Sequence, residues 1–131
     1  MAGKFLLDLD TNIIIRLFAE DKVVLDWLKR ITEVFIPCIV LGELFYGAQK
    51  SANVDANTVR INELSSQVKI LPCDKETAQH YGSIKNLLRT KGRPIPENDI
   101  WIGSIAKQHN LTLVTGDSHF KEIESIKITQ I

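Results

Sequence analysis

The chain has 131 residues, 44% hydrophobic and 24% charged, a length and balance that suit one domain with a core of its own. Its 16 basic and 16 acidic side chains cancel, which excludes a whole-protein basic field for gripping nucleic acid and leaves only local patches. No apolar run approaches the length of a bilayer span, and the amino terminus MAGKFLLDLD meets acids almost at once, unlike a signal peptide. A soluble, cytoplasmic protein with no membrane partner is expected.

Short β-rich runs alternate with helical periodicity, the pattern of an α/β domain with a parallel sheet. Lys4-Phe5-Leu6-Leu7 reads as the first strand, and Ile13, Ile14, Leu17 and Phe18 then recur at helical spacing. Val24, Trp27, Leu28 and Ile31 form a second helical stripe, with Asp21 placed to cap it. Glu33 to Ile36 is a second strand, stopped by Pro37, and a helix follows from about Ile39 to Lys50. A weaker helix, with Val54, Ile61 and Leu64 as its sparse apolar positions, runs to about Ser65. Val68 to Leu71 is a third strand, and Asp74 caps a long helix through Ala78, Tyr81, Ile84 and Leu88. Gly92-Arg93-Pro94-Ile95-Pro96 breaks that helix, since proline lacks an N–H and disfavours a helical residue before it. Asn98 or Asp99 opens the next helix, to about His109; Leu111 to Val114 and Ile126 to Thr129 are the last two strands.

Cys38 and Cys73 lie far apart in sequence, with no CxxC pairing and no histidine at ligand spacing, so zinc is not expected. They read as two reduced core thiols. The acids are more informative. In open parallel sheets, ligands bind beyond the carboxyl ends of the strands. Asp10 follows the first strand and Asp117 follows the fourth, and the two meet at one edge if those strands are neighbours. Each also suits an ordinary turn or cap. Glu43 sits among Ile39, Val40, Leu44 and Tyr46, where a carboxylate loses hydration unless something neutralises it. Asp99 precedes Ile100-Trp101-Ile102 at a helix start, a position the helix dipole alone favours for an acid. Gathered in one pocket, four carboxylates would repel one another and call for a divalent cation. Oxygen ligands select Mg²⁺ or Mn²⁺ over zinc, and such an ion suits phosphodiester hydrolysis.

Asp10-Thr11-Asn12, Gly42-Glu43-Leu44 with Tyr46-Gly47, Pro96-Glu97-Asn98-Asp99, and Thr115-Gly116-Asp117 with Phe120 resemble the PIN-domain ribonucleases, in that order and over essentially the whole chain. The likeness is to the VapC-like toxins of bacterial type II toxin–antitoxin pairs. It implies a three-layer α/β/α PIN-like fold with a central parallel sheet, spanning 1–131 as a single domain. It further implies a metal-dependent endoribonuclease, usually a homodimer, held inactive by an antitoxin. Residue by residue, Asp10, Glu43, Asp99 and Asp117 occupy the family's acidic positions and would hold Mg²⁺ or Mn²⁺. Asn12 and Thr115 match polar positions that orient those carboxylates. One departure is Asp8, where the family usually has an apolar residue; it reads as peripheral to the site.

Asp8-Leu9-Asp10 also resembles the start of haloacid-dehalogenase-type phosphatases, but Thr11-Asn12 follows where that family wants a Gly-Thr pair, and the later paired acids are missing. A catalytically silent PIN-like binding module and a housekeeping RNA-processing nuclease also compete; retention of all four acids speaks against the silent module. RNA requires cations for its phosphates, and Lys85, Arg89, Lys91 and Arg93 are the best local source, although basic residues also suit the end of a helix. His119 reads as exposed or as a loop contact, and Trp27 and Trp101 as core or interface. Val24, Trp27, Ile31, Val54 and Ile61 are candidates for apolar surface facing a second copy or an antitoxin helix.

Overall fold

The computed structural model describes residues 4–7, 12–30 and 33–131, with 4–7 and 12 described by backbone alone. In chain order the elements are β1 (Lys4–Leu7), α1 (Asn12–Phe18), α2 (Lys22–Leu28), β2 (Glu33–Pro37), α3 (Cys38–Gln49) and α4 (Val54–Gln67). They continue with β3 (Lys69–Leu71), α5 (Lys75–Lys91), α6 (Glu97–His109), β4 (Thr112–Thr115), a 3₁₀ helix (Ser118–Glu122) and β5 (Lys127–Gln130).

Local chemistry sets the boundaries. Asp21 caps α2 as expected: its Oδ1 accepts the Val23 N–H at 2.8 Å and the Val24 N–H at 3.4 Å. Asp74 caps α5 reciprocally. Its Oδ1 accepts the Thr77 N–H at 3.1 Å while its own N–H donates to the Thr77 hydroxyl at 3.0 Å. Gln108 near the end of α6 also donates to Asp74 Oδ1, at 2.9 Å, so the start of α5 and the end of α6 share one carboxylate. Gly92 stops α5 at φ 68°, a left-handed conformation in which a side chain would be strained.

The strands form one five-stranded sheet in the order β3-β2-β1-β4-β5, parallel throughout. β1 pairs with β4 through Leu6↔Leu113 and Leu7↔Val114, so the first and fourth strands are neighbours, as a meeting of Asp10 with Asp117 requires. From β1 the chain steps outward to β2 and β3, then returns to the other side of β1 for β4 and β5. Right-handed crossovers therefore put the helices of the two halves on opposite faces, giving three layers. In open parallel sheets the carboxyl ends of the strands at such a reversal, here β1 and β4, are where ligands bind. Ile14, Ile36, Val40, Ile102, Ile105, Leu113 and Phe120 are fully buried in the core.

Several local readings are corrected. α6 begins at Glu97, one to two residues earlier than expected, because Pro96 in extended conformation serves as its cap position. The 3₁₀ helix 118–122 is not foreseen by the sequence pattern; it is too short for a periodicity and starts from the Asp117 side chain, which accepts the His119 N–H at 2.8 Å. Val24 and Ile61 are buried in the core, not on a partner surface; Trp27 and Val54 are half-buried, and Ile31 lies outside the described residues. Trp101 stacks on Tyr81, with ring centroids 4.1 Å apart and 14° between planes. The cysteines are not core thiols: Cys38 is half-buried at the start of α3 and Cys73 is exposed beyond β3.

Phe120 anchors the 3₁₀ helix from a fully buried position. Phe120→Ala is expected to cost about 3–5 kcal/mol of unfolding free energy, the range for truncating a buried phenylalanine. Chemical denaturation checks this; a loss under about 1 kcal/mol would mean that the segment after Asp117 is not held by the core.

Candidate active site

Three of the four predicted acids converge. Asp99, in the first turn of α6, is 4% exposed, and its N–H donates to the Pro96 carbonyl at 3.0 Å. The positive end of the helix dipole offsets part of the cost of burying this carboxylate. Glu43 lies in the middle of α3, which packs against α6, and it lines one pocket with Asp99. Burial raises the Glu43 pKa most, and the Asp99 charge raises it further; a hydrogen bond from the Asn98 side chain pulls the other way. Among the described residues, Glu43 Oε1 is a buried acceptor with no hydrogen-bond donor.

Asp117 is delivered by a shaped turn after β4. Thr115, completely buried, accepts the Asp117 N–H on its Oγ1 at 2.8 Å, and its carbonyl accepts the Ile131 N–H at 3.1 Å. Thr115 thus fixes the backbone that carries Asp117; the described bond is to the main chain and not to the carboxylate. His119 closes the group. Its Nδ1 lies 3.1 Å from Asp117 Oδ2 and 3.8 Å from Asp99 Oδ2, and ligand atoms of Asp99, Asp117 and His119 all fall within 4.8 Å of one another. Glu43, Glu97, Asn98, Asp99, Asp117 and His119 line a polar pocket of about 480 Å³.

This donor set fits a divalent cation. Carboxylates brought together in a half-buried pocket repel one another, and Glu43 Oε1, which has no donor among the described residues, has the chemistry of a hard-metal ligand. An imidazole beside the oxygens is compatible with Mn²⁺ as well as with harder ions. Asp10 and Asp8 lie outside the described residues, and of Asn12 only the backbone, at the start of α1, is described. Sequence reasoning gave His119 no place in the site. The signal was its spacing two residues after Asp117, which a 3₁₀ start folds back onto the capping carboxylate.

The four basic residues do not form one row. Lys85 is held by Glu97 and by the Tyr81 hydroxyl at the pocket rim; Glu97 raises the lysine's pKa and is itself driven down by it. Lys91 points elsewhere, donating to the Glu122 carbonyl at 2.8 Å and to Glu124 at 3.3 Å. Arg89 contacts Asn86 at 3.3 Å, and Arg93 is exposed beyond the helix end.

Comparison with known proteins agrees with this geometry. The family model for the PIN domain matches residues 9–126. The chain is 34% identical over 122 residues to Ribonuclease VapC2 of Haemophilus influenzae, covering 90% of this chain and 89% of that protein. It is 30% identical to the tRNA(fMet)-specific endonuclease VapC of Salmonella typhimurium, covering 95% and 96%. The fold matches a chain of VapBC2 from Rickettsia felis, in a crystal structure bound to a DNA fragment from their promoter, with TM-score 0.89, 28% identity and coverage of 98% and 99%. The chain belongs to the PIN-domain family. Within that family its relatives are VapC proteins.

The raised pKa of Glu43 gives a signed expectation. A carboxyl whose folded pKa lies above its unfolded value of 4.5 favours the folded state most when protonated, so its contribution is lost as pH rises above that value. In metal-free buffer, Glu43→Gln should therefore melt at a higher temperature than wild type at neutral pH. The gap should be a few degrees at most, because solvent screens a half-exposed group, and it should shrink towards pH 4.5. Scanning calorimetry in EDTA checks this. A variant less stable than wild type at neutral pH would contradict a strained carboxylate.

Proposed function

We propose that the protein is a metal-dependent endoribonuclease that hydrolyses RNA phosphodiester bonds, and that it is the toxin of a toxin–antitoxin pair acting in the cytoplasm as a single domain. The observation that carries this reading is Glu43 and Asp99 in one pocket with Asp117 and His119, with a Glu43 oxygen that has no donor among the described residues. Glu43, Asp99 and Asp117, with Asp10 from the segment after β1, would hold Mg²⁺ or Mn²⁺. The ion, when bound, supplies positive charge for the scissile phosphate and activates water for attack. The protein's own residues set the geometry. Thr115 locks the turn under Asp117, and the amino terminus of α6 directs its dipole at the Asp99 carboxylate. His119 can donate from Nδ1 to Asp117 and fix the direction of its carboxylate.

The VapBC structures among its neighbours support an antitoxin as partner. Homodimerisation is proposed with it; Ile15, Val23, Tyr46, Val59 and Leu87 are large apolar side chains left exposed. For RNA, Arg89 and Arg93 are the exposed cations of the four that carry no acidic partner among the described contacts, whereas Lys85 and Lys91 are each paired with a glutamate. Glu97 lies at the pocket rim, so Lys85 is positioned to meet a phosphate arriving there.

Purified protein incubated with total bacterial RNA and Mn²⁺ should produce discrete new RNA ends by sequencing. Asp99→Asn should reduce their yield by ~100-fold or more, the scale of losing one electrostatic stabiliser of a transition state, and EDTA should abolish them. New ends that persist in both controls would contradict the proposed chemistry. Separately, Arg89→Ala with Arg93→Ala should weaken RNA binding and flatten its salt dependence by roughly 0.7 in slope per lost phosphate contact, as for single strands, leaving Mn²⁺ affinity unchanged. Unaltered RNA affinity would remove these arginines from the binding surface.

A further inference from the structure

Cys38 and Cys73 are 35 positions apart in sequence but adjoin in space. β2 and β3 run side by side in parallel, with Ile36 opposite Ile70 and Pro37 opposite Leu71. Cys38 follows Pro37 directly, and Cys73 follows Leu71 by one proline, so both leave the same edge of neighbouring strands. The register puts Cys38 level with Pro72, one residue short of Cys73. With strands about 4.8 Å apart and about 3.3 Å of rise per residue, that offset leaves the two near each other, and a disulfide spans Cα atoms about 4.4–6.8 Å apart. Both are free thiols, and Cys73 feels the neighbouring Cys38. Partial covering of its sulfur, and then the neighbouring Cys38, push the Cys73 thiol up to about 11, the response expected of two neighbouring thiols.

We propose that Cys38 and Cys73 form a dithiol–disulfide pair, oxidised to an intramolecular bridge by small-molecule disulfides such as oxidised glutathione. Cys73 is the exposed sulfur and the point of entry; its raised pKa keeps its thiolate scarce at neutral pH, so the exchange runs faster in alkaline buffer. Its thiolate attacks one sulfur of the disulfide and releases a thiolate; Cys38 then attacks the Cys73 sulfur and releases the second. Two S–H bonds are lost and one S–S bond forms. The oxidant's S–S bond takes up both electrons and both protons and leaves as two thiols. In a reducing compartment the pair stays as thiols, and the bridge is a response to oxidant. The bridge would close a loop holding all of α3, with Glu43, and all of α4, and would tie the start of α3 to the residue before the Asp74 cap of α5. This inference is independent of the nuclease reading.

The test treats the reduced full chain, at low protein concentration, with oxidised glutathione, then blocks remaining thiols and maps the products by mass spectrometry. The expected product is a monomer lighter by two hydrogens, unreactive to the blocking reagent, containing a peptide pair joined through Cys38 and Cys73. Dithiothreitol should reverse it, and its Tm should exceed that of the reduced chain by several degrees. Cys73→Ser, a conservative change at an exposed position, should fold and lose both the bridge and the Tm difference. Glutathione adducts without a bridge, bridges only between chains, or no oxidation at all would each overturn the proposal.

Discussion

Mutual repulsion among carboxylates is the constraint around which this fold is arranged. Glu43 shares a pocket with Asp99, and Asp99 shares a 4.8 Å cluster with Asp117 and His119. In isolation that arrangement opposes folding: like charges leave water together, and one buried oxygen has no donor among the described residues. The surrounding elements hold it in place nonetheless. Asp99 has the helix dipole of α6, Asp117 has the Thr115 turn, and Glu43 has a partial counterweight in Asn98. An ion bound at this site would link metal binding to stability, since whatever binds only the folded state stabilises it.

The scaffold explains how such a cluster stays assembled. Strand order reverses at β1, and adjacency of β1 and β4 places the Asp117 turn beside the carboxyl end of β1. Phe120, three residues after Asp117, is sunk in the core and pins the turn from below. On the helical side, α6 carries Asp99 at one end and is tied at the other by Gln108 to the Asp74 cap of α5. Gly103, in mid-helix, leaves little room above it: a methyl group there would come within 2.7 Å of Ile123 Cδ1. The helix bearing Asp99 therefore lies close against the segment that follows Asp117.

Much of this was legible in the sequence because it rests on local rules. Asp21 and Asp74 announce helix starts, Gly92 with two following prolines announces a stop, and a polar end after a β-rich run announces a sheet edge. Glu43 stood out because an acid amid Ile39, Val40 and Leu44 conflicts with its own surroundings, and such conflicts mark function. What was not legible depends on side-chain direction across elements. His119 joins the acids only once a five-residue 3₁₀ helix turns it back, and that turn has no periodicity to read. The nearness of Cys38 and Cys73 follows from the pairing of β2 with β3, which no spacing in the chain encodes. The basic residues looked like one patch because they are close in sequence; around a helix, Lys85 and Lys91 sit six positions apart and meet different acids.

Whether the acids form a site for a divalent cation is decided most directly by titrating Mn²⁺ into metal-stripped protein. The ion's EPR signal is followed, with Asp117→Asn measured alongside. Wild-type protein should bind saturably, and the variant should lose affinity by at least ~10-fold, with both proteins equally folded by circular dichroism. Folded wild-type protein that leaves the Mn²⁺ signal that of the free ion, or a variant that binds as tightly as wild type, would contradict a carboxylate metal site.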